Sequence, residues 1–361
     1  MLMPMKTCLS HSTALEFWRH WSISHSITLE QFHQIRRMSS SLLPVGSYRF
    51  ASALGPCLTR EADIRGLVNA VGSNPPGIES SDQECLRLIA STTAPIEVLV
   101  GSNRGAKSSR GVVRNYAAAH FPKQSFARID QDLYVCSPEL VFLQMARRLP
   151  FGGLLALGYE LCGCYPAPSP SGAPLVRRPL TSPARLSAFV NRATHCKGAK
   201  IARIASRQIQ AKSASPMETE LAIIAFTAVS RGGLGLTPAR LNEPVALSQQ
   251  AAKATGLHRV VCDFLWADRC CAIEYDGHDA HKERHRQAHD SRKRDALSID
   301  GIDLITITSS QFHHIDQCTA LLDSIARRLG KPKRKRRVEH LAAHLDLRRQ
   351  VRAFHQNAPR C

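Results

Sequence analysis

Two short apolar runs on either side of a tight polar connection form the clearest pattern in the chain. Val260–Trp266 and Cys270–Asp276 are rich in large apolar residues, and they flank Asp268-Arg269. Runs of this length around a two-residue turn predict a β-hairpin. In such a hairpin Ala267 faces Cys270, and this pairing fixes the register of both strands.

Counting back from that turn places Asp263 directly opposite Glu274. Side chains alternate between the two faces of a strand, so Asp276 shares the face of Glu274. Like charges that face each other across strands destabilise a sheet unless something compensates them. Three carboxylates suit Mg²⁺ or Mn²⁺, which prefer hard oxygen ligands. The pattern therefore predicts a metal-dependent phosphodiester-cleaving site. The alternative is a partly exposed edge where these acids are merely solvated.

The elements around the hairpin predict one α/β domain over residues 215–330. Ser215-Pro-Met-Glu218 is a capping box that starts a helix. The elements then follow in the order α-β-β-β-α-β-α. They are the helix 215–229, a strand at Pro244–Ser248, the two hairpin strands, a helix at Lys282–Ile299, a strand at Ile302–Thr308 and a closing helix at Gln311–Leu329.

The rest of the chain is less strongly patterned, and we expect a mixed α+β protein overall. The clearest strands before residue 165 are Pro95–Val100 and Phe126–Val135, and Ser137 caps a helix that runs to Arg148. The predicted divisions are a helical segment at 1–45, a smaller α+β domain at 46–165, a linker and basic connector helix at 166–214, the α/β domain, and a basic tail at 331–361 that could form a helix at Val338–Phe354.

Charge is distributed unevenly along these 361 residues, whose formal net charge is +19. Residues 331–361 hold 10 basic and 2 acidic residues, whereas residues 216–330 hold 13 and 15. Basic flanks around a near-neutral catalytic segment favour a polyanionic partner such as DNA. The plainer alternative is a solubilising basic surface. No apolar run is long enough to cross a bilayer and no secretory signal is evident, so we expect a cytoplasmic protein.

The segment from Ser215 to Thr308 resembles the PD-(D/E)xK nuclease core, and more narrowly the bacterial group related to very short patch repair endonucleases. The resemblance is carried by SPMETEL, GGLGL (232–236), Asp263-Phe264, IEYDG (273–277), and His281, Asp290, Lys293, Leu297 and Gly301. It implies a restriction-endonuclease-like fold and DNA cleavage. The amino-terminal half loosely resembles abortive-infection antitoxin-like regulators.

One position departs from the parent motif. The second residue after Glu274 would be lysine there and is Asp276 here. The related repair group also lacks this lysine and has a histidine nearby, so the resemblance makes His281 the stand-in as general acid, base or phosphate ligand.

The expected roles follow from the pattern and the resemblance together. Asp263 and Glu274 are the primary ligands of Mg²⁺ or Mn²⁺, with Asp276 as a further ligand. Glu218 either completes the hydration shell of the ion or only caps its own helix. His281, His285 and His289 form a helical stripe that could alternatively hold zinc. The residues expected to contact DNA are Arg284, Arg292, Lys293, Lys333, Arg334, Lys335, Arg336 and Arg337.

Two functional classes remain open at this stage. The first is a metal-dependent DNA endonuclease in repair or defence. The second is a DNA-binding regulator, antitoxin-like, that keeps the nuclease fold without turnover. Converging acids favour the enzyme, and the missing motif lysine favours the regulator. The sequence leaves the DNA preference and the oligomeric state open.

Overall fold

The structure of the protein is a computed structural model. It describes residues 7–28, 31, 61–73, 80–100, 111–116, 121–130, 132–167, 175–277, 284–331 and 338–356, with backbone only at 61–63, 80, 81, 167 and 284–287. The chain divides into two compact units, and the boundary falls between Ile209 and Gln210. Both units combine helices with β-sheet, so the mixed α/β class predicted from the sequence is confirmed.

The amino-terminal unit is built on a five-stranded sheet. Its strands are Thr7–Leu9 (β1), Ile96–Val100 (β3), Val112–Tyr116 (β4), Phe126–Arg128 (β5) and Leu133–Cys136 (β6), in the order β4-β3-β1-β6-β5, and the short strands Ile27–Thr28 (β2), Pro166–Ala167 (β7) and Leu175–Val176 (β8) form a second sheet. The described helices of this unit are His11–Ser24 (α1), Glu61–Ser73 (α2), Ser80–Ser91 (α3), Pro138–Met145 (α4), Phe151–Leu161 (α5), Pro183–Arg192 (α6) and Ala199–Ser206 (α7). Strands β1, β3 and β6 are entirely buried, as expected for mainly apolar strands covered on both faces.

Three sequence predictions change in this unit. The described part of the predicted helical segment at 1–45, residues 7–28, is not a separate unit, because β1 is the central strand of the sheet and pairs with both β3 and β6. Phe126–Val135 is two antiparallel strands rather than one. Residues 166–214 do not form only a linker and connector, because α6 and α7 bury Leu186, Phe189 and Ala202 within the same unit.

The carboxy-terminal unit contains the predicted α/β core. Its elements are Pro216–Phe226 (α8), Arg240–Ala246 (β9), Gln249–Thr255 (α9), Arg259–Trp266 (β10), Cys271–Asp276 (β11), Arg284–Ile299 (α10), Asp303–Thr308 (β12), Ser309–His313 (α11), Ile315–Arg328 (α12) and Val338–Gln356 (α13). The sheet order is β12-β11-β10-β9. Strands β9, β10 and β11 are antiparallel neighbours, whereas β12 runs parallel to β11 after the α10 crossover.

The helices differ from the sequence prediction in two places. A short helix, α9, lies between β9 and β10, where Ser248 caps it and Gly256 ends it in a left-handed conformation. The closing helix is split into α11 and α12 at His314, whose extended backbone interrupts the helical run. None of the helices that the structure describes is long and apolar enough to cross a membrane.

The last helix, α13, is part of this unit rather than a free basic tail. It passes over a turn at Gly232-Gly233, where His344 Nδ1 lies 2.8 Å from the carbonyl oxygen of Gly232. A Cβ at Gly232 would lie 2.3 Å from the carbonyl oxygen of Ala343, so only glycine allows this approach. Arg348 and Glu220 form an ion pair at 3.0 Å, and both side chains are almost fully buried.

Candidate active site

The β10–β11 hairpin has the register that the sequence predicts. Its pairs are Phe264↔Ile273, Leu265↔Ala272 and Trp266↔Cys271, and the same register continued by one pair sets Asp263 opposite Glu274. The connection itself differs, because a 3₁₀ turn at Ala267–Arg269 is followed by Cys270 with φ of 47°. Four residues connect the strands instead of two. Adding one residue to each side of the loop leaves the register unchanged.

The facing pair of carboxyl groups is in direct contact. Asp263 Oδ2 accepts a hydrogen bond of 2.8 Å from the backbone N–H of Tyr275. A further hydrogen bond joins the two carboxyl groups; burial raises the pKa of both, and this bond adds to the rise for Glu274 and moderates it for Asp263. This polarity means that protonated Glu274 donates to ionised Asp263.

Lys293 brings a cation to this pair from helix α10. Its Nζ lies 2.5 Å from Glu274 Oε2, and the residue is only 9% exposed. Lys293 shares one face of the helix with Ala296 and Leu297, which are fully buried. The docking of α10 against the sheet therefore places the amine at Glu274. Lys293 is therefore buried rather than exposed on the helix surface, and its contact with DNA stays a prediction.

Glu218 approaches the same carboxylates from helix α8. Ser215 caps the helix by accepting the Glu218 N–H at 3.1 Å, as the capping box predicts. Glu218 Oε2 accepts from the backbone N–H of Ala214 at 2.9 Å and from Asn242 Nδ2 at 2.7 Å. The side chain therefore ties the helix start to strand β9, and its carboxylate also repels that of Asp263.

Burial and mutual repulsion move the pKa values of two of these carboxyl groups into the neutral range. Burial, and then the charge of Asp263, raise the pKa of Glu218 to about 7. The same two causes raise the pKa of Glu274 to about 8, although 27% of its side chain stays exposed and Lys293 opposes the shift. Burial also raises the pKa of Asp263. Like-charge clusters of this kind are typical of functional sites.

The structure does not bring the expected three carboxylates into one metal-sized group. Among the residues that it describes, no three histidine, cysteine, aspartate or glutamate side chains are placed to hold a metal ion. Asp263 is engaged by Tyr275, and Glu274 is engaged by Lys293. Asp276 lies two residues beyond Glu274, opposite Thr308 of β12, in a partly buried position.

Several predicted site residues lie outside the described part of the chain. His281 is one of them, and only the backbone of Arg284 is described. The run Lys333, Arg334, Lys335, Arg336 and Arg337 is likewise outside the described residues. Arg292 is exposed on α10, as a DNA contact requires, and its role stays a prediction.

Sequence reasoning missed the part that two residues take in this site. It did not place Lys293 beside Glu274, although the spacing of Lys293 from the apolar Ala296 and Leu297 indicates that all three lie on the buried face of the helix. The second is Asn242, which adopts φ of 45° and donates both to Glu218 and to the carbonyl oxygen of Lys212. Asparagine tolerates this left-handed conformation better than most residues, and such strain is common at functional sites.

Comparisons with known proteins give one partial match. The family described as "Protein of unknown function (DUF2726)" matches residues 239–325. The matched stretch begins just before β9 and ends within α12, so it contains Asp263, Glu274 and Lys293 but not Glu218. No curated protein and no solved structure matches the chain.

Proposed function

We propose that the carboxy-terminal unit is a metal-dependent DNA endonuclease that hydrolyses phosphodiester bonds. The observation that carries the proposal is the contact of Asp263 with Glu274 beside the buried amine of Lys293. Two facing carboxyl groups with raised pKa values cost folding free energy, so their placement calls for a functional reason. The basic flanks supply the complementary charge for a polyanionic substrate.

The donor set fits Mg²⁺ or Mn²⁺ in its chemistry. Asp263 and Glu274 would hold the ion, because hard cations prefer carboxylate oxygens and relieve the repulsion between them. Such an ion lowers the pKa of a bound water and neutralises charge on the phosphate. Glu218 and Asn242 would hold the surrounding shell in place through their mutual hydrogen bond of 2.7 Å.

Lys293 supplies the ammonium group that the parent motif takes from a lysine at the position of Asp276. Its amine comes from α10 instead of β11, and it is bonded to Glu274 rather than exposed to solvent. A buried ammonium beside the reacting phosphate steadies negative charge that develops in the transition state. It also favours the ionised form of Glu274, which a metal ligand requires.

A manganese-dependent cleavage assay on single-stranded, duplex and mismatched DNA tests the proposal. Asp263→Asn and Glu274→Gln should abolish cleavage, and Lys293→Met should slow it by about 100-fold, as for the loss of one transition-state donor. Lys253→Met, an exposed lysine on α9, is the matched control and should cleave like the wild type. Wild-type cleavage by Asp263→Asn would contradict the proposal.

A DNA-binding regulator without turnover is the second candidate. The observation in its favour is that no three ligand-type side chains are grouped for a metal among the described residues. The same assay, run beside a DNA-binding measurement, separates the two. If the protein is a regulator, the wild type binds DNA but cleaves none of the substrates in the presence of Mg²⁺ or Mn²⁺.

DNA affinity should depend on the basic run at residues 333–337. Replacing its five cations with glutamine should weaken binding to all DNAs alike and reduce the salt slope by about 0.9 for each phosphate that is no longer neutralised. Substitution is a better test than truncation, because removing α13 would also remove Arg348 from Glu220. Unchanged affinity and salt dependence, measured by fluorescence anisotropy at several salt concentrations, would exclude the run from DNA binding.

A further inference from the structure

The amino-terminal unit contains a cavity of about 520 Å³, a volume that suits a small-molecule ligand. It opens where the start of α1, the end of β4, helix α4 and the turn before α7 meet. Leu99, Leu140 and Leu143 form an apolar side. Tyr116 and Phe121 add two aromatic rings, and Tyr116 is 46% exposed.

The polar side of the cavity is cationic. Arg114, Arg147 and Lys197 line it together with the imidazoles of His11 and His195. No carboxylate is among the described lining residues. Arg147 and Lys197 have no ion-pair partner within the described part of the chain, and both are exposed to solvent at the cavity. Their charge is therefore available to a ligand.

Glu97, an acid that contacts the cavity-lining Asn115, already has other partners. Arg148 forms an ion pair with it at 2.7 Å, and Asn115 Nδ2 donates to it at 2.9 Å. Ser12 donates to the same carboxylate. Arg148 also donates to Asn115 Oδ1 at 2.8 Å, which fixes the amide at the edge of the cavity. This network cancels the charge of Arg148 and leaves those of Arg147 and Lys197 uncompensated.

His11 is a further buried polar residue on this cavity wall. Burial, and after it the charge of Arg148, lower the pKa of His11 to about 4; Arg147 acts in the same direction and Glu97 opposes them. His11 also holds φ of 49°, and its backbone N–H donates to Gln144 Oε1 at 3.0 Å. A strained residue on the wall of a positive cavity is an arrangement that function explains better than stability does.

We propose that this cavity binds a small phosphorylated molecule with a planar ring, the class to which mononucleotides belong. The phosphate lies against Arg147 and Lys197, with Arg114 on the same wall, where charge-assisted hydrogen bonds hold it. The ring lies against the apolar and aromatic side. The inference does not rest on the proposed nuclease activity, since every lining residue belongs to the amino-terminal unit.

Calorimetric titration of the full chain with AMP and UMP tests the assignment, with inorganic phosphate and adenosine as partial ligands. Each partial ligand should bind at least tenfold more weakly than the better nucleotide. The double substitution Arg147→Gln and Lys197→Gln should weaken nucleotide binding at least tenfold. Both side chains are exposed, so the fold should survive the changes, and circular dichroism checks this.

The matched control is the pair Arg192→Gln and Lys200→Gln, which removes two exposed cations outside the cavity lining. Its affinity should stay within twofold of the wild type. The proposal is overturned if neither nucleotide binds at millimolar concentration, or if the control pair weakens binding as much as the cavity pair. Phosphate binding as tight as nucleotide binding would also overturn it, because the ring would then contribute nothing.

Discussion

Burial raises the pKa of both Glu218 and Glu274, and the charge of their shared neighbour Asp263 raises both further. Both groups are therefore protonated in the folded protein at pH values where they ionise in the unfolded chain. A folded state that holds more protons than the unfolded state loses stability as the pH rises. For the carboxy-terminal unit, the free energy of unfolding should fall from about pH 4.5, the ordinary pKa of glutamate, to about pH 8, the raised pKa of Glu274, and these two groups should change it little above that pH.

Asp263→Asn should reduce that loss. Without the Asp263 charge the pKa values of Glu218 and Glu274 fall toward their ordinary range, and the amide oxygen can still accept from Tyr275. We compare the unfolding free energy of the variant with that of the wild type in metal-free buffer. Between pH 5 and pH 8 this difference should shift in favour of the variant by about 1–3 kcal/mol. Urea unfolding at the two pH values measures this. Asp268→Asn, in the exposed turn of the same hairpin, is the control and should leave the pH dependence unchanged.

Sequence reasoning found this pair of acids because register is a local property of a hairpin. Two apolar runs and their turn are enough to set Asp263 opposite Glu274. Lys293 was misplaced because its position depends on how α10 docks on the sheet. Along the sequence it is one of three consecutive cations, and only the packing of Ala296 and Leu297 selects it for burial.

At the scale of elements, the packing of α13 against the unit was missed because composition averages over opposite faces of a helix. Residues 331–361 are strongly basic as a set, yet Leu347, Val351 and the buried Arg348 lie on one packed face. Arg348 donates to Glu220 at 3.0 Å and to the carbonyl oxygen of Phe312 at 2.7 Å. Its guanidinium also lies 4.7 Å from the centre of the Phe312 ring. The helix is thereby fixed to both α8 and α11.

Arg348→Met should destabilise the carboxy-terminal unit by about 3–5 kcal/mol, because it leaves Glu220 buried with one of its cations removed. Adding Glu220→Met should recover much of the loss, since no buried charge then lacks a partner. Arg349→Met is the matched control, because Arg349 is 80% exposed and should change stability by less than about 0.5 kcal/mol. Chemical unfolding of the three variants decides the matter. Equal stability of Arg348→Met and Arg349→Met would mean that α13 does not anchor the unit.

At the scale of the whole molecule, the capping box at Ser215 marked the start of a helix but not the start of the unit. Residues 210–214 belong to the carboxy-terminal unit. Lys212 Nζ forms an ion pair with buried Glu243 at 3.1 Å, and the Ala214 N–H donates to Glu218. The central place of β1 in the other sheet was also beyond local reasoning, because its partners β3 and β6 are distant in sequence.

A fragment that begins at residue 210 should therefore be more stable than one that begins at residue 216, with both ending at residue 358. The shorter fragment loses the Ser215 cap, worth about 1 kcal/mol, and leaves buried Glu243 without Lys212. We expect a difference of about 2–4 kcal/mol in thermal or urea unfolding. Identical unfolding curves for the two fragments would mean that the folding unit begins at the capping box instead.

The pairing of Glu220 with Arg348 spans 128 positions of the chain. During synthesis on the ribosome, Glu220 emerges well before its partner exists. Until then, a nascent sheet that closed around α8 would trap an uncompensated carboxylate in an apolar setting. Premature closure thus costs free energy, and we expect the nascent unit to close only after Arg348 has been synthesised. The same delay leaves apolar strands accessible for longer, so this unit should depend on chaperones more than its size alone would suggest.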